Sequence, residues 1–208
     1  MSTRFTTAER AWHAWIEPVG PHTGSPEQIA AYESSVWPDS PYFRLLAWHP
    51  HALDARTHLD RAIFLGRPGI GRGERELAAT AASRLNGCEL CASVHARFAA
   101  TFTRREDDVV RLLEEGVDAG FDPRWQAIID AAAALTASPP RFGVHHVRAL
   151  EDAGLSRTDI QDVVEAAAFF AWANRLMLSL GEPAAPDAAD AEALANQRAA
   201  DAAARGEA

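Results

Sequence analysis

The 208-residue sequence contains no lysine: all 20 of its cationic side chains are arginine. Mechanisms that run through a lysine amine are thereby excluded, among them Schiff bases, pyridoxal phosphate linkage and the Walker-type phosphate loop. Cysteine and methionine are scarce, with two of each. Positive charge is in deficit as well, since 29 acidic residues give a formal net charge of -9. Nucleic acid is not expected as a partner, because counterion release needs clustered positive charge. No apolar run approaches the roughly 20 residues that span a bilayer, and the opening MSTRFTTAERAWHAW lacks the apolar stretch of a secretory signal. The expectation is a soluble, cytoplasmic protein with no membrane partner. In a reducing compartment, two cysteines three apart point to redox chemistry or metal binding rather than to a structural staple.

What is present reads as helix. Hydrophobic residues make up 48% and charged residues 24%, the balance of an ordinary globular protein, and the length suffices for a substantial core. Ser25-Pro26-Glu27 opens one helix, with a cap, a proline at the first helical position and an acid in the first turn. Short and longer helices follow at Ser40–Trp48 and Pro50–Leu65. A glycine-rich loop at Gly66–Gly73 leads to an alanine-rich helix from Glu74 to Leu85, which Asn86-Gly87 stops by tolerating left-handed backbone angles. Further helices are expected from Cys88 to about Thr101, over Arg104–Glu114, from Asp122-Pro123 to Ala137, over Gly143–Ala153, and over Arg157–Leu180 behind a Ser156 cap. No segment alternates polar and apolar residues long enough to predict a sheet. The fold class is all-α, with one domain over 1–181 and an alanine- and acid-rich tail over 182–208.

An internal echo accompanies these helices. GLSRTDIQDVVEAAAFFAWANRLMLSLG repeats the layout of GIGRGERELAATAASRLNGCELCASVHARF, with a Gly-x-x-Arg lead, an acidic first turn and an alanine-rich helix, but without cysteine or histidine. A duplicated helix pair with chemistry in one copy fits this pattern.

The chemistry-bearing constellation is Glu76, Cys88, Cys91 and His95. Positions i, i+3 and i+7 share one helix face, so both sulfurs and the imidazole point the same way. The Asn86-Gly87 break places both cysteines in the first turn of a new helix, where free amides and the helix dipole favour a thiolate. On one continuous helix Glu76 would lie about 22 Å from Cys91. If the chain reverses at Asn86-Gly87, Glu76 falls opposite residues 95–98. It can then hold one nitrogen of His95 and leave the other facing Cys91. The other histidines singled out, His49, His51, His58, His145 and His146, have mixed spacing and are read as surface or interface residues. Trp37, Trp48, Tyr42 and Phe43 are read as core or subunit contacts.

Glu, eleven residues, then Cys-x-x-Cys-x-x-x-His on an alanine-rich helix resembles the alkylhydroperoxidase (AhpD-like) branch of the carboxymuconolactone decarboxylase family. The similarity extends over about residues 40–180, with the ending WANRLMLSLGEP similar to its peroxidase-related subgroup. The resemblance implies an AhpD-like helical fold that assembles as trimers or hexamers. It also implies that Cys91 is the peroxidatic thiol, Cys88 resolves it as a disulfide, and His95 with Glu76 relays protons. The best-studied branch has a histidine between the cysteines, where this chain has Leu90. The implied activity is reduction of a small-molecule hydroperoxide at the expense of a thiol reductant, with no metal or cofactor. Two other readings stay open: a thiol–disulfide oxidoreductase, and a non-enzymatic module holding zinc through Cys88, Cys91, His95 and Glu76. Decarboxylation is disfavoured, since it does not depend on a cysteine pair.

Overall fold

Side-chain caps decide where several helices begin. In the computed structural model, which describes residues 5–66 and 68–184, Ser25 and Gln28 exchange side-chain-to-backbone hydrogen bonds in a capping box that opens α1 (Pro26–Glu33). Prolines at the first helical position open α2 (Pro41–Leu46) and α3 (Pro50–Leu65). Next come α4 (Arg72–Asn86), α5 (Glu89–Thr103) and α6 (Glu106–Glu115). Asp122 accepts hydrogen bonds from the Arg124 and Trp125 amides at the head of α7 (Pro123–Thr136). After α8 (Val144–Asp152), a Ser156–Asp159 capping box starts α9 (Arg157–Leu180). The all-helical class and the helix order match the sequence reading. The expected tail over 182–208 lies outside the described residues beyond Ala184.

Three boundaries differ from expectation. A two-stranded antiparallel ribbon forms where no strand was expected, pairing β1 (Trp12–Ala14) with β2 (Gly181–Pro183). Three residues per strand are too few for alternation to register in a sequence. Gly181 suits this ribbon because a β-carbon there would collide with the His13 carbonyl and the Trp12 ring. The glycine loop is also shorter than 66–73, because Arg72 and Gly73 belong to α4. Gly73 is buried, and a β-carbon on it would run into the Thr103 methyl, with the Phe102 Cβ and Thr103 amide each 3.2 Å away. Gly73→Ala is therefore expected to lower unfolding free energy by about 1–3 kcal/mol, as overpacking does, measured as a lower urea midpoint at unchanged slope.

Thirdly, the echo is real at the helix start and ends at the turn. Arg72 and Arg157 each open their helix, and Asp159 stands where Glu74 does. Ala171-Trp172 replaces Asn86-Gly87, so α9 continues as one helix of 24 residues where the first copy reverses. There is no helix pair in the second copy. By length and composition α9 would also pass for a membrane span, although the sequence reading expected none. Its stripe of Val163, Ala166, Ala167, Phe170, Ala173 and Asn174 is buried in the core, and its charges include Asp162, Glu165 and Arg175. It is a core helix.

α4 is the centre of the molecule, and its residues Leu77 to Ser83 are all buried. It packs against α5, α7 and α9. Small side chains make this possible: Ala78, Ala79, Ala81 and Ala82 on α4 and Ala92, Ala96 and Ala99 on α5 are all at 0% exposure. Asp162 of α9 receives hydrogen bonds from the Ile70 amide and the Arg75 guanidinium, both at 2.9 Å, and so fixes the start of α4 against α9.

Candidate functional site

The chain reverses at Gly87, whose left-handed backbone (φ 78°, ψ 14°) a side chain would strain. The Cys88 amide then donates to the Ser83 carbonyl and closes the turn. Cys88 is the N-cap of α5 and Cys91 its third residue. Only Cys91 therefore occupies the first turn, where both had been expected. The two sulfurs are 2.8 Å apart, reduced, and buried to 1% and 5% exposure. They share a proton unequally. The hydrogen bond between the sulfurs lowers the Cys88 pKa against the effect of burial, with the Cys91 amide and the Asn174 side chain assisting. The same hydrogen bond, followed by burial and the charge on Cys88, raises Cys91 well above the ordinary thiol range, while Asn174 and Arg56 pull the other way.

Titration of thiolate absorbance should accordingly show one thiolate forming below the ordinary thiol range and a second only in strong alkali. In Cys91→Ala the Cys88 titration should move up, because its largest stabilising partner is gone. The two cysteines act oppositely on stability. Cys88, depressed on folding, stabilises above the unfolded thiol pKa, and this contribution is lost as pH falls through its lowered value. Cys91, raised on folding, stabilises below the unfolded pKa and loses that contribution as pH rises through its raised value.

The reversal also brings Glu76 to His95. His95 Nδ1 lies 2.6 Å from Glu76 Oε2, directly and without a bridging water. The Arg72 guanidinium donates to Glu76 Oε1 at 3.1 Å, so both carboxylate oxygens are engaged at 1% exposure. Arg72 in turn lies over the Phe98 and Phe102 rings. The Phe170 and Phe64 rings pack against the imidazole at centroid distances of 3.8 and 5.5 Å. With Nδ1–H donating to the carboxylate, Nε2 is left as an acceptor. It was expected to face Cys91, yet the hydrogen-bond partner of the Cys91 thiol is Cys88. His95 and Cys91 meet instead across a shared space, a cavity of about 640 Å³.

That cavity is walled by Phe43, Phe64, Phe98, Phe170, Leu90 and Met177, with Tyr42, Arg56, Glu76, Cys91 and His95 also facing it. Cys88 is not in its lining. Leu90 thus contributes an apolar wall. Tyr42 and Phe43 are buried, as expected, and are also cavity residues, whereas Trp48 is 51% exposed. His51 and His58 are exposed and pair with Glu27 and Asp54. Among the described residues no group of three or more His, Cys, Asp or Glu side chains is placed to hold a metal ion.

Three residues next to the dithiol carry no local sequence pattern. Asn174 is fully buried on α9 and bridges Asn86 and Ser83 through hydrogen bonds of 3.1 Å each. A lone amide in the apolar run AAAFFAWANRLML is the available signal, since a buried amide needs partners. Arg56, on α3, is 6% exposed, bonded to Asp60 at 2.9 Å and set over the rings of Phe43 and Phe169. Tyr42 comes from α2.

Known proteins resemble this arrangement in sequence and in shape. Residues 50–134 match the carboxymuconolactone decarboxylase family. The fold is similar to the alkylhydroperoxidase AhpD core of a peroxidase-related protein from Ralstonia eutropha JMP134 (23% identity, TM-score 0.65, covering 78% of this chain and 88% of that one). It is also similar to a peroxidase-related protein from Silicibacter sp. TM1040 (24%, TM-score 0.61, 69% and 75%). A third similar structure is the debrominase Bmp8 (16%, TM-score 0.63, 80% and 90%). No curated protein matches the chain.

Proposed function

We propose, for a chain whose residues 50–134 match the carboxymuconolactone decarboxylase family, that its dithiol reduces organic hydroperoxides. The observation that carries this is the asymmetry of the pair: Cys91 faces an aromatic-walled cavity while Cys88, 2.8 Å behind it, does not. The Cys91 proton passes to Cys88 along the S–H···S bond. The Cys91 thiolate attacks the terminal peroxide oxygen, the O–O bond breaks, and the alkoxide leaves to be protonated as an alcohol. Cys88 then displaces hydroxide from the Cys91 sulfenic acid, forming the disulfide and, with a proton, water. The dithiol loses two electrons and the hydroperoxide gains them.

His95, held by Glu76, exchanges protons with the cavity through Nε2. A thiol reductant small enough to enter the cavity restores the dithiol, which suits a reducing, cytoplasmic setting. The exposed apolar side chains Trp15, Ile16, Trp48 and Trp172 support assembly with further copies as a trimer or hexamer.

Mass spectrometry after one equivalent of alkyl hydroperoxide tests the reading. The expected result is a Cys88–Cys91 disulfide and one equivalent of alcohol. Thiols that stay reduced would overturn it. The second reading, a thiol–disulfide oxidoreductase, is narrowed by the burial of both sulfurs to small disulfides. Faster turnover of a small disulfide than of peroxide would favour it.

A further inference from the structure

Tyr42 is a polar group of the cavity, lying beside Arg56, that the dithiol chemistry leaves unused. It is 2% exposed, and its ring packs edge-on against Trp12 and Phe43 at centroid distances of 5.7 and 5.4 Å, so the phenol cannot swing aside. Its hydroxyl is buried, approached by the Arg56 guanidinium but paired to it by no hydrogen bond of full geometry. Arg56 is itself held by Asp60 and by three aromatic faces, those of Tyr42, Phe43 and Phe169. Burial pushes the Tyr42 pKa up to about 12, against the pull of Arg56 and with a further upward push from Cys91. The phenol is therefore a neutral hydrogen-bond donor across the working pH range, within electrostatic reach of the sulfur that faces the cavity. Buried orphan donors call for a specific explanation, and this one shares a cavity with the nucleophile.

We propose that Tyr42 is a catalytic residue whose hydroxyl donates a hydrogen bond to the peroxide oxygen that departs when Cys91 attacks. The assignment rests on the hydroperoxide reading above and names the group that receives the developing alkoxide. The S–O bond forms as the O–O bond breaks, and the electron pair of that bond goes to the departing oxygen. A fixed donor placed there stabilises charge that exists only in the transition state and needs no reorganisation.

The test is the second-order rate of Cys91 oxidation by cumene hydroperoxide in the wild type and in Tyr42→Phe, with diamide as a control oxidant that has no O–O bond. Tyr42→Phe keeps the ring and its packing, and unchanged thermal unfolding establishes that the fold is intact. The expected result is a fall of about 10²-fold with the hydroperoxide and an unchanged rate with diamide. An unchanged hydroperoxide rate would overturn the assignment. So would an equal fall with both oxidants, since that reports an altered thiolate rather than a lost donor. If the wild type itself is inert to hydroperoxide but reacts with diamide, the peroxidase reading fails and takes this assignment with it. A reactive wild type matched by an equally reactive Tyr42→Phe removes Tyr42 alone.

Discussion

Cys91→Ser is expected to abolish hydroperoxide consumption, by about 10³-fold or more, as deletion of a nucleophile does, whereas Cys88→Ser should still be oxidised once per molecule at Cys91. The difference follows from which sulfur the cavity reaches. In Cys88→Ser the largest influence raising Cys91, its hydrogen bond to the Cys88 sulfur, is removed, although burial still opposes ionisation. The variant should therefore form a sulfenic acid that persists, because no second thiol lies beside it to condense with. Trapping with a sulfenate-specific diketone and peptide mapping would locate the modification. An oxidised Cys88 in Cys91→Ser, with no oxidised Cys91 in Cys88→Ser, would reverse the assignment. Ease of ionisation favours Cys88, whose pKa the Cys91 hydrogen bond lowers. Access favours Cys91, and the 2.8 Å separation lets the proton cross to meet it.

Glu76→Ala should cost both activity and stability. The carboxylate is buried and holds two partners, His95 and Arg72. Removing it leaves the imidazole Nδ1 without its acceptor and a guanidinium without its charge, for a loss of about 3 kcal/mol in unfolding free energy. Turnover should fall by about 10²-fold, the usual contribution of an oriented proton carrier. Glu76→Gln separates the two effects. The amide fills the same volume and accepts from one partner, so most stability should return. Its amide nitrogen can no longer accept a proton-bearing group, so turnover should stay low. Steady-state peroxide consumption beside urea unfolding measures both, and full turnover in Glu76→Gln would remove the relay role.

Much of the helical plan was legible because it is written locally. Ser25, Asp122 and Ser156 are caps whose partners lie within three residues, and Asn86-Gly87 predicts its own reversal. The Glu76–His95 contact was legible for the same reason, being two positions measured from one turn. The ribbon of Trp12–Ala14 with Gly181–Pro183 was not, since its partners are far apart in the chain and each strand is only three residues. Nor was the surround of the sulfurs. Asn174, Arg56 and Tyr42 arrive from α9, α3 and α2, and only their packing makes them neighbours. Periodicity also could not distinguish a cysteine in the first turn from one at the cap. In the structure that single position gives Cys88 the amide of Cys91 and leaves Cys91 to the cavity.

The shared proton between the two sulfurs has an electrical consequence. When the reduced pair ionises, its negative charge is weighted toward Cys88, in a space whose dielectric screening is weak and within reach of Arg56. A disulfide carries none. Above the lowered Cys88 pKa, each turnover therefore removes and restores a negative charge beside the cavity. The oxidised state, without that charge, admits the thiolate of a reductant more readily than the ionised dithiol does.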